Sequence, residues 1–182
     1  MSKSGKSVRW ALWLPLALFA GFVVLVLVGL LRPADREVVS GMVGKPLPEF
    51  SLPPAVSDRP GLSRANMATG KPRLLNVLAS WCVPCKVEAP QLAALKAQGV
   101  EIDGIAIRDR SEDVAAFLAQ HGNPFSRIGK DDVSAVQLAL GSSGVPETFV
   151  VDGQGVIRYQ HIGDIRPEQV PMLMEKLREA GS

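Results

Sequence analysis

The chain has two cysteines, and both lie in one short motif, Cys82-Val83-Pro84-Cys85. The run before them, Leu74-Leu75-Asn76-Val77-Leu78-Ala79, is almost wholly apolar and reads as a central strand covered on both faces. A strand that runs into Cys-x-x-Cys at the start of a helix places the first sulfur at the helix N-terminus. There, unpaired backbone N–H groups and the macrodipole favour the thiolate. Cys82 is therefore the candidate nucleophile. Cys85, one turn further along, shares a stripe with Ala89, Leu92 and Leu95 and is the candidate buried, resolving thiol. The chemistry this pair supports is thiol–disulfide exchange through a mixed disulfide.

Other cysteine chemistries lack their partners. A structural disulfide closing so short a loop stabilises little, because the entropic gain grows with loop length. A zinc site needs four ligands, and only His121 and His161 remain, at no recognised spacing. Covalent haem attachment needs Cys-x-x-Cys-His, whereas Lys86 follows Cys85. A peroxidase-type cysteine resembling the peroxiredoxins wants Thr or Ser three residues before it, and Ala79 stands there. No metal and no dissociable cofactor is expected.

At 182 residues the chain has room for one domain and one extra segment. Residues 10–31 contain no ionisable side chain, a run of about the 20 residues that span a bilayer as a helix, and read as a transmembrane anchor. A cleaved signal peptide would carry a shorter apolar region ending in a small-x-small site, which Gly29-Leu30-Leu31-Arg32-Pro33 does not offer. Lys3, Lys6 and Arg9 before the span are matched in number by Arg32, Arg36 and Lys45 after it. The first group is tighter, lacks acids and gains the amino terminus, which places the N-terminus in the cytoplasm and the rest outside. The expected organisation is a cytoplasmic tail over residues 1–9, an anchor over 10–31, a polar linker over 32–44 and one folded domain over 45–182. Confining both cysteines to the motif suits an oxidising compartment. Overall, 20 Lys+Arg face 18 Asp+Glu, and three of the basic residues lie in the tail. The domain is thus close to neutral, with no basic field for nucleic acid.

Several elements must position the motif. Residues 45–54 alternate apolar residues with prolines and read as an extended edge or covering segment, or as plain linker. After the cysteines, a helix runs to about Gln98 with Gly99 as its stop, and residues 100–107 form the next strand. Ser111 caps a second helix that ends at Gly122. Phe125 to Ile128 is a short strand, and Asp131 and Asp132 open a helix closed by Gly141. Residues 148–161 form a hairpin about Asp152-Gly153-Gln154-Gly155, and a last helix begins near Pro167. Such a chain builds one mixed sheet with helices on both faces, with Cys82 at the carboxyl end of its first core strand.

The sequence Asn76-Val77-Leu78-Ala79-Ser80-Trp81-Cys82 is joined by Gly122-Asn123-Pro124, by Gly144-Val145-Pro146-Glu147-Thr148-Phe149 and by Arg158-Tyr159-Gln160-His161-Ile162-Gly163-Asp164. With these motifs the chain resembles thioredoxin-like proteins, and more narrowly the membrane-anchored thiol:disulfide interchange proteins of cytochrome c biogenesis, the DsbE/CcmG family. The resemblance covers residues 44–179. It implies a thioredoxin-like α/β fold, a cis peptide before Pro146 facing the cysteines, and substrate contacts at Trp81, Val145, Pro146 and Glu147. Where the family often carries an aromatic residue before Gly-Val-Pro-Glu, this chain has Ser142-Ser143.

Thioredoxin-like proteins often carry a buried acid where Asn76 stands, and an amide cannot handle a proton in its place. Glu88, three residues after Cys85, reads on its own either as an exposed helix glutamate or as a desolvated carboxyl that takes the Cys85 proton. The resemblance implies the second. It also implies an acidic rim of Glu147 and Asp164 around the cysteines, although Glu147 suits a solvated loop and Asp164 a helix cap. The implied activity is reduction of the disulfide in apocytochrome c haem-binding segments at the periplasmic face of the inner membrane. Electrons would come from a transmembrane thiol relay of the DsbD/CcdA type, carried by the Cys82/Cys85 dithiol itself. The competing readings are a general exported disulfide oxidant or isomerase and a thiol-based copper or haem chaperone.

Overall fold

The computed structural model describes residues 5–31 and 41–182, which fall into two compact units. The first contains α1 (Gly5–Leu31), which carries Pro15 in its interior. Its described side chains, residues 13–29, are apolar and exposed. Among the described residues no helix is long and apolar enough to cross a membrane. The start of the expected tail, residues 1–4, and residues 32–40 of the expected linker lie outside the described residues.

The second unit is built on a five-stranded sheet. In chain order it contains β1 (Ser51–Leu52), β2 (Leu62–Ser63), α2 (Arg64–Met67), β3 (Arg73–Leu78), α3 (Val83–Ala97), β4 (Ile102–Ile107) and α4 (Ser111–His121). It continues with β5 (Arg127–Asp131), α5 (Ala135–Ala139), β6 (Glu147–Val151) and β7 (Ile157–Ile162). A 3-10 turn (Pro167–Gln169) then leads into α6 (Val170–Ala180). The strand order is β5-β4-β3-β6-β7, with β3, β4 and β5 parallel and β6 and β7 antiparallel to their neighbours.

Every residue of β3 and β4 is buried, which is why both strands read as mostly apolar runs rather than as alternation; the buried polar exceptions are Arg73, Asn76 and Asp103. Leu74, Leu75, Val77, Ile102 and Ile105 are fully covered, and each such side chain stabilises the fold by about 1.5–3 kcal/mol. Strand β3 lies between β4 and β6, so its carboxyl end, and the motif that follows, is fixed from both sides.

The proline-rich stretch is a covering segment rather than a plain linker. Pro46 bridges Val156 beside β7, and Pro54 bridges Gly129 of β5, so one segment meets both outer strands of the sheet. Backbone bonds from Gly44 to Ile157, from Leu47 to Gly155 and from Ala55 to Ile128 hold it there. Prolines suit these places because an edge does not require every N–H.

Several boundaries differ from the sequence expectation: β5 runs over Arg127–Asp131 rather than Phe125–Ile128. Asp131 does not open a helix: it ends β5, and its carboxylate accepts the N–H groups of Ala135, Val136 and Gln137, capping α5 from four residues upstream. Ser111 is likewise inside α4, whose N-cap is Arg110. The hairpin forms as expected, with Asp152 accepting from the N–H groups of Gln154 and Val156 at 2.9 Å each. Gly153 is required there, because a Cβ would sit 2.4 Å from the backbone of Gly70.

Candidate active site

The Cys-x-x-Cys motif leaves β3 through Ala79, Ser80 and Trp81, and Cys82 is the N-cap of α3. Its Sγ accepts the backbone N–H of Cys85 at 3.2 Å, one of the donors that a helix start leaves unpaired. Pro84 in the first turn forfeits no intrahelical bond. The two cysteines form a disulfide with Cα atoms 5.3 Å apart. Cys82 is 4% exposed and Cys85 2%, so in the disulfide state burial hardly separates them. The helix-cap position does.

Glu88 is fully buried one turn beyond Cys85. Its Oε1 accepts from Asn76 Nδ2 at 3.0 Å and its Oε2 from the backbone N–H of Ile165 at 3.1 Å. Burial pushes its carboxyl from 4.5 up to about 7; the two donors oppose that rise and the nearby charge of Asp164 adds to it. Asn76, Cys85 and Glu88 line one small cavity together with Phe117 and Phe125. A carboxyl that titrates near neutrality beside the buried thiol position is equipped to take up and return a proton there.

The register of the sheet brings the second loop to the same end. Val77 pairs with Glu147, so Pro146 lies beside the carboxyl end of β3. The Val145–Pro146 peptide is cis. Pro146 is buried and Val145 half-buried, and Trp81 is 56% exposed with its indole N–H directed to the carbonyl of Arg108 at 3.4 Å.

A family model described as Redoxin matches residues 42–177. The chain is 38% identical to the thiol:disulfide interchange protein DsbE of Escherichia coli strain K12, over 92% of this chain and 95% of that one. It is 36% identical to the thiol:disulfide interchange protein HelX of Rhodobacter capsulatus, over 91% and 94% of the two chains. The chain belongs to the DsbE family of thiol:disulfide interchange proteins. A crystal structure of a DsbE protein from Chlorobium tepidum superposes with a TM-score of 0.58 at 27% identity, covering 77% of this chain and 98% of that one. The fold is thus thioredoxin-like, and the protein is a thiol–disulfide oxidoreductase.

Within this DsbE-type site the acidic rim expected at Glu147 needs correction. Glu147 is fully buried and turned inward. Its Oε1 accepts from the N–H and hydroxyl of Ser143, at 2.8 and 2.6 Å, and its Oε2 from Gln160 Nε2 at 2.8 Å. The carboxylate therefore ties the loop before Pro146 to β7 rather than facing a substrate. Ser143, in the stretch where the DsbE family often has an aromatic residue, supplies two of those bonds. Asp164 is partly exposed and pairs with Arg166 at 3.5 Å.

Two DsbE site residues escaped the sequence reading. Asp109, just after β4, accepts from the backbone N–H and hydroxyl of Ser80, at 2.5 and 2.9 Å, and fixes the approach to Trp81 and Cys82. The signal for it was topological, since it lies at the carboxyl end of the strand next to β3. In the sequence Asn76 is legible only as an amide unable to carry a proton. Its role as donor to Glu88 follows from its inward position in β3, opposite Thr148.

Proposed function

We propose that this oxidoreductase reduces the disulfide of Cys-x-x-Cys-His segments in apocytochrome c, outside the cytoplasmic membrane. The observation that carries the reading is the pairing of a helix-capping Cys82 with a Cys85 that shares a cavity with the buried Glu88. In the reduced enzyme the Cys82 thiolate attacks one substrate sulfur, forming a mixed disulfide and releasing the other substrate sulfur as a thiolate. Glu88 takes the proton of Cys85, whose sulfur then attacks Cys82 Sγ. The enzyme disulfide forms, the second substrate thiolate leaves, and two electrons have passed to the substrate. Trp81, Val145 and Pro146 form the surface on which the substrate backbone lies, and Asp164 tunes Glu88 through its charge.

In this reading residues 10–31 anchor the chain in the inner membrane, residues 1–9 remain in the cytoplasm, and a linker over 32–44 holds the domain of residues 45–182 in the periplasm. The uncharged run and the exposed apolar side chains of residues 13–29 support it. A transmembrane thiol relay of the DsbD/CcdA kind returns the enzyme to the dithiol state, which carries the electrons without a separate cofactor. The test is the reduction potential of the Cys82/Cys85 couple, equilibrated against glutathione. A value in the thioredoxin to glutaredoxin range, roughly −200 to −270 mV, supports a reductase; a value near about −120 mV makes the protein a disulfide donor instead.

A further inference from the structure

Beside the disulfide lies a cleft of about 480 Å³ between the first turn of α3, the β4–α4 connection and α4. Trp81 forms its wall nearest the cysteines, and Lys86, Arg108 and Arg110 bring three cations to it. The acids of the cleft are largely engaged elsewhere. Asp109 is buried and accepts two bonds from Ser80 and one from the N–H of Arg110. Arg110 is matched by Glu112 and by Asp113, the latter at 4.0 Å. Lys86 and Arg108 are left: both are exposed, and among the described residues neither has a carboxylate partner.

Arg108 is held in place with unusual firmness for an exposed cation. Its φ of +46° is in the left-handed region that residues with a Cβ rarely occupy. Its N–H donates to the backbone carbonyl of Asp131, its carbonyl receives the Trp81 indole, and its Nε donates to the hydroxyl of Ser134 at 2.8 Å. Ser134 is itself buried, with φ +59°. Such conformations persist where the surroundings over-determine them, and they gather at functional sites.

We infer that this cleft docks an acidic stretch of the polypeptide that exchanges disulfides with Cys82, its carboxylates meeting Lys86 and Arg108 while its backbone passes over Trp81. The inference rests on the oxidoreductase reading above and names the chemistry of the partner at that same site. A folded or unfolded protein partner fits better than nucleic acid, because two cations cannot follow a phosphate ladder and the domain is close to neutral. An exposed indole beside two unpaired cations matches a peptide that offers both side-chain surface and carboxylates.

The test uses the full chain, reduced, and two short synthetic peptides oxidised across the same Cys-x-x-Cys-His core, one flanked by Asp and the other by Lys. Exchange is followed by stopped-flow fluorescence. The expected result is a rate about tenfold higher for the Asp-flanked peptide at low salt. That ratio is expected to fall towards one at about 1 M salt, where the screening length is roughly 3 Å. The double variant K86E/R108E is expected to invert the ratio. Taking the ratio within each variant cancels any change in the intrinsic reactivity of Cys82, and Lys86→Glu alone gives a partial shift if the strained Arg108 position does not tolerate Glu. Equal rates with the two peptides in the wild type, or a ratio that neither K86E nor K86E/R108E changes, would overturn the inference. Absence of exchange with both peptides would instead overturn the oxidoreductase reading, and this inference with it.

Discussion

Asn76 Nδ2 donates to Glu88 Oε1 at 3.0 Å and to Thr148 Oγ1 at the same distance, leaving Asn76 Oδ1 buried without a partner. Both amide hydrogens are thus committed to the state in which Glu88 accepts. Asn76 therefore stabilises the ionised form of the Glu88 carboxyl. Removing it has a definite consequence. Asn76→Leu deletes a donor that holds the Glu88 carboxyl down, so Glu88 is expected to titrate above its present value of about 7. Carboxyl-carbon NMR of Glu88 in the reduced protein measures this directly, and an unchanged or lowered value would refute the role.

Glu88 also sets a pH dependence of stability, whose sign follows from proton binding. Its carboxyl holds its proton to about 7 when folded and to 4.5 when unfolded, so between these values the folded state binds more protons. Stability is therefore greatest below the lower value and declines as pH rises through the higher one, by roughly 3 kcal/mol in all. Glu88→Gln removes this slope. Urea unfolding at a series of pH values is expected to show the variant gaining on the wild type from pH 4.5 to 8; parallel curves would mean that Glu88 titrates normally.

The same carboxyl governs resolution. Only ionised Glu88 can accept the Cys85 proton, so in single turnovers the decay of the mixed disulfide is expected to accelerate with pH through about 7. In Glu88→Gln that decay is expected to slow about 100-fold and to lose this midpoint. Quenched-flow alkylation resolves the step.

Glu147→Ala tests the inward carboxylate. The substitution leaves Gln160 Nε2 and the N–H and hydroxyl of Ser143 without their acceptor, at a cost of about 1–3 kcal/mol because water reaches the exposed Ser143. Loss of protection at the Ser143 amide in hydrogen exchange is the local signature, and a rim residue facing substrate would not produce it.

Much of this was legible in the sequence because the decisive interactions are local. The apolar run of β3, the three-residue spacing from Cys82 to Cys85 and the Asp152-Gly153 turn all act within one strand or one helical turn. Spacing alone leaves Glu88 open between exposed and buried, because its donors Asn76 and Ile165 come from elsewhere in the fold. The misreadings come from side chains whose partners lie outside their own element. Asp131 looks like a helix opener because its carboxylate does cap α5, while its backbone remains in β5. Glu147 looks solvated because an acid beside a loop generally is, and its donors come from Ser143 and Gln160, which only the β6–β7 pairing unites. Asp109 acts on Ser80 through the parallel pairing of β3 and β4, and no local pattern announces it.

The most direct test of the central claim is to trap the mixed disulfide. Cys85→Ser, reduced and mixed with a peptide oxidised across Cys-x-x-Cys-His, is expected to accumulate one covalent adduct, which peptide mass spectrometry places on Cys82. Cys82→Ser under the same conditions is expected to accumulate none. An adduct on Cys85 in the Cys82→Ser protein at a comparable rate, or no adduct on Cys82 in the Cys85→Ser protein, would contradict the assignment of attacking and resolving thiols on which the account depends.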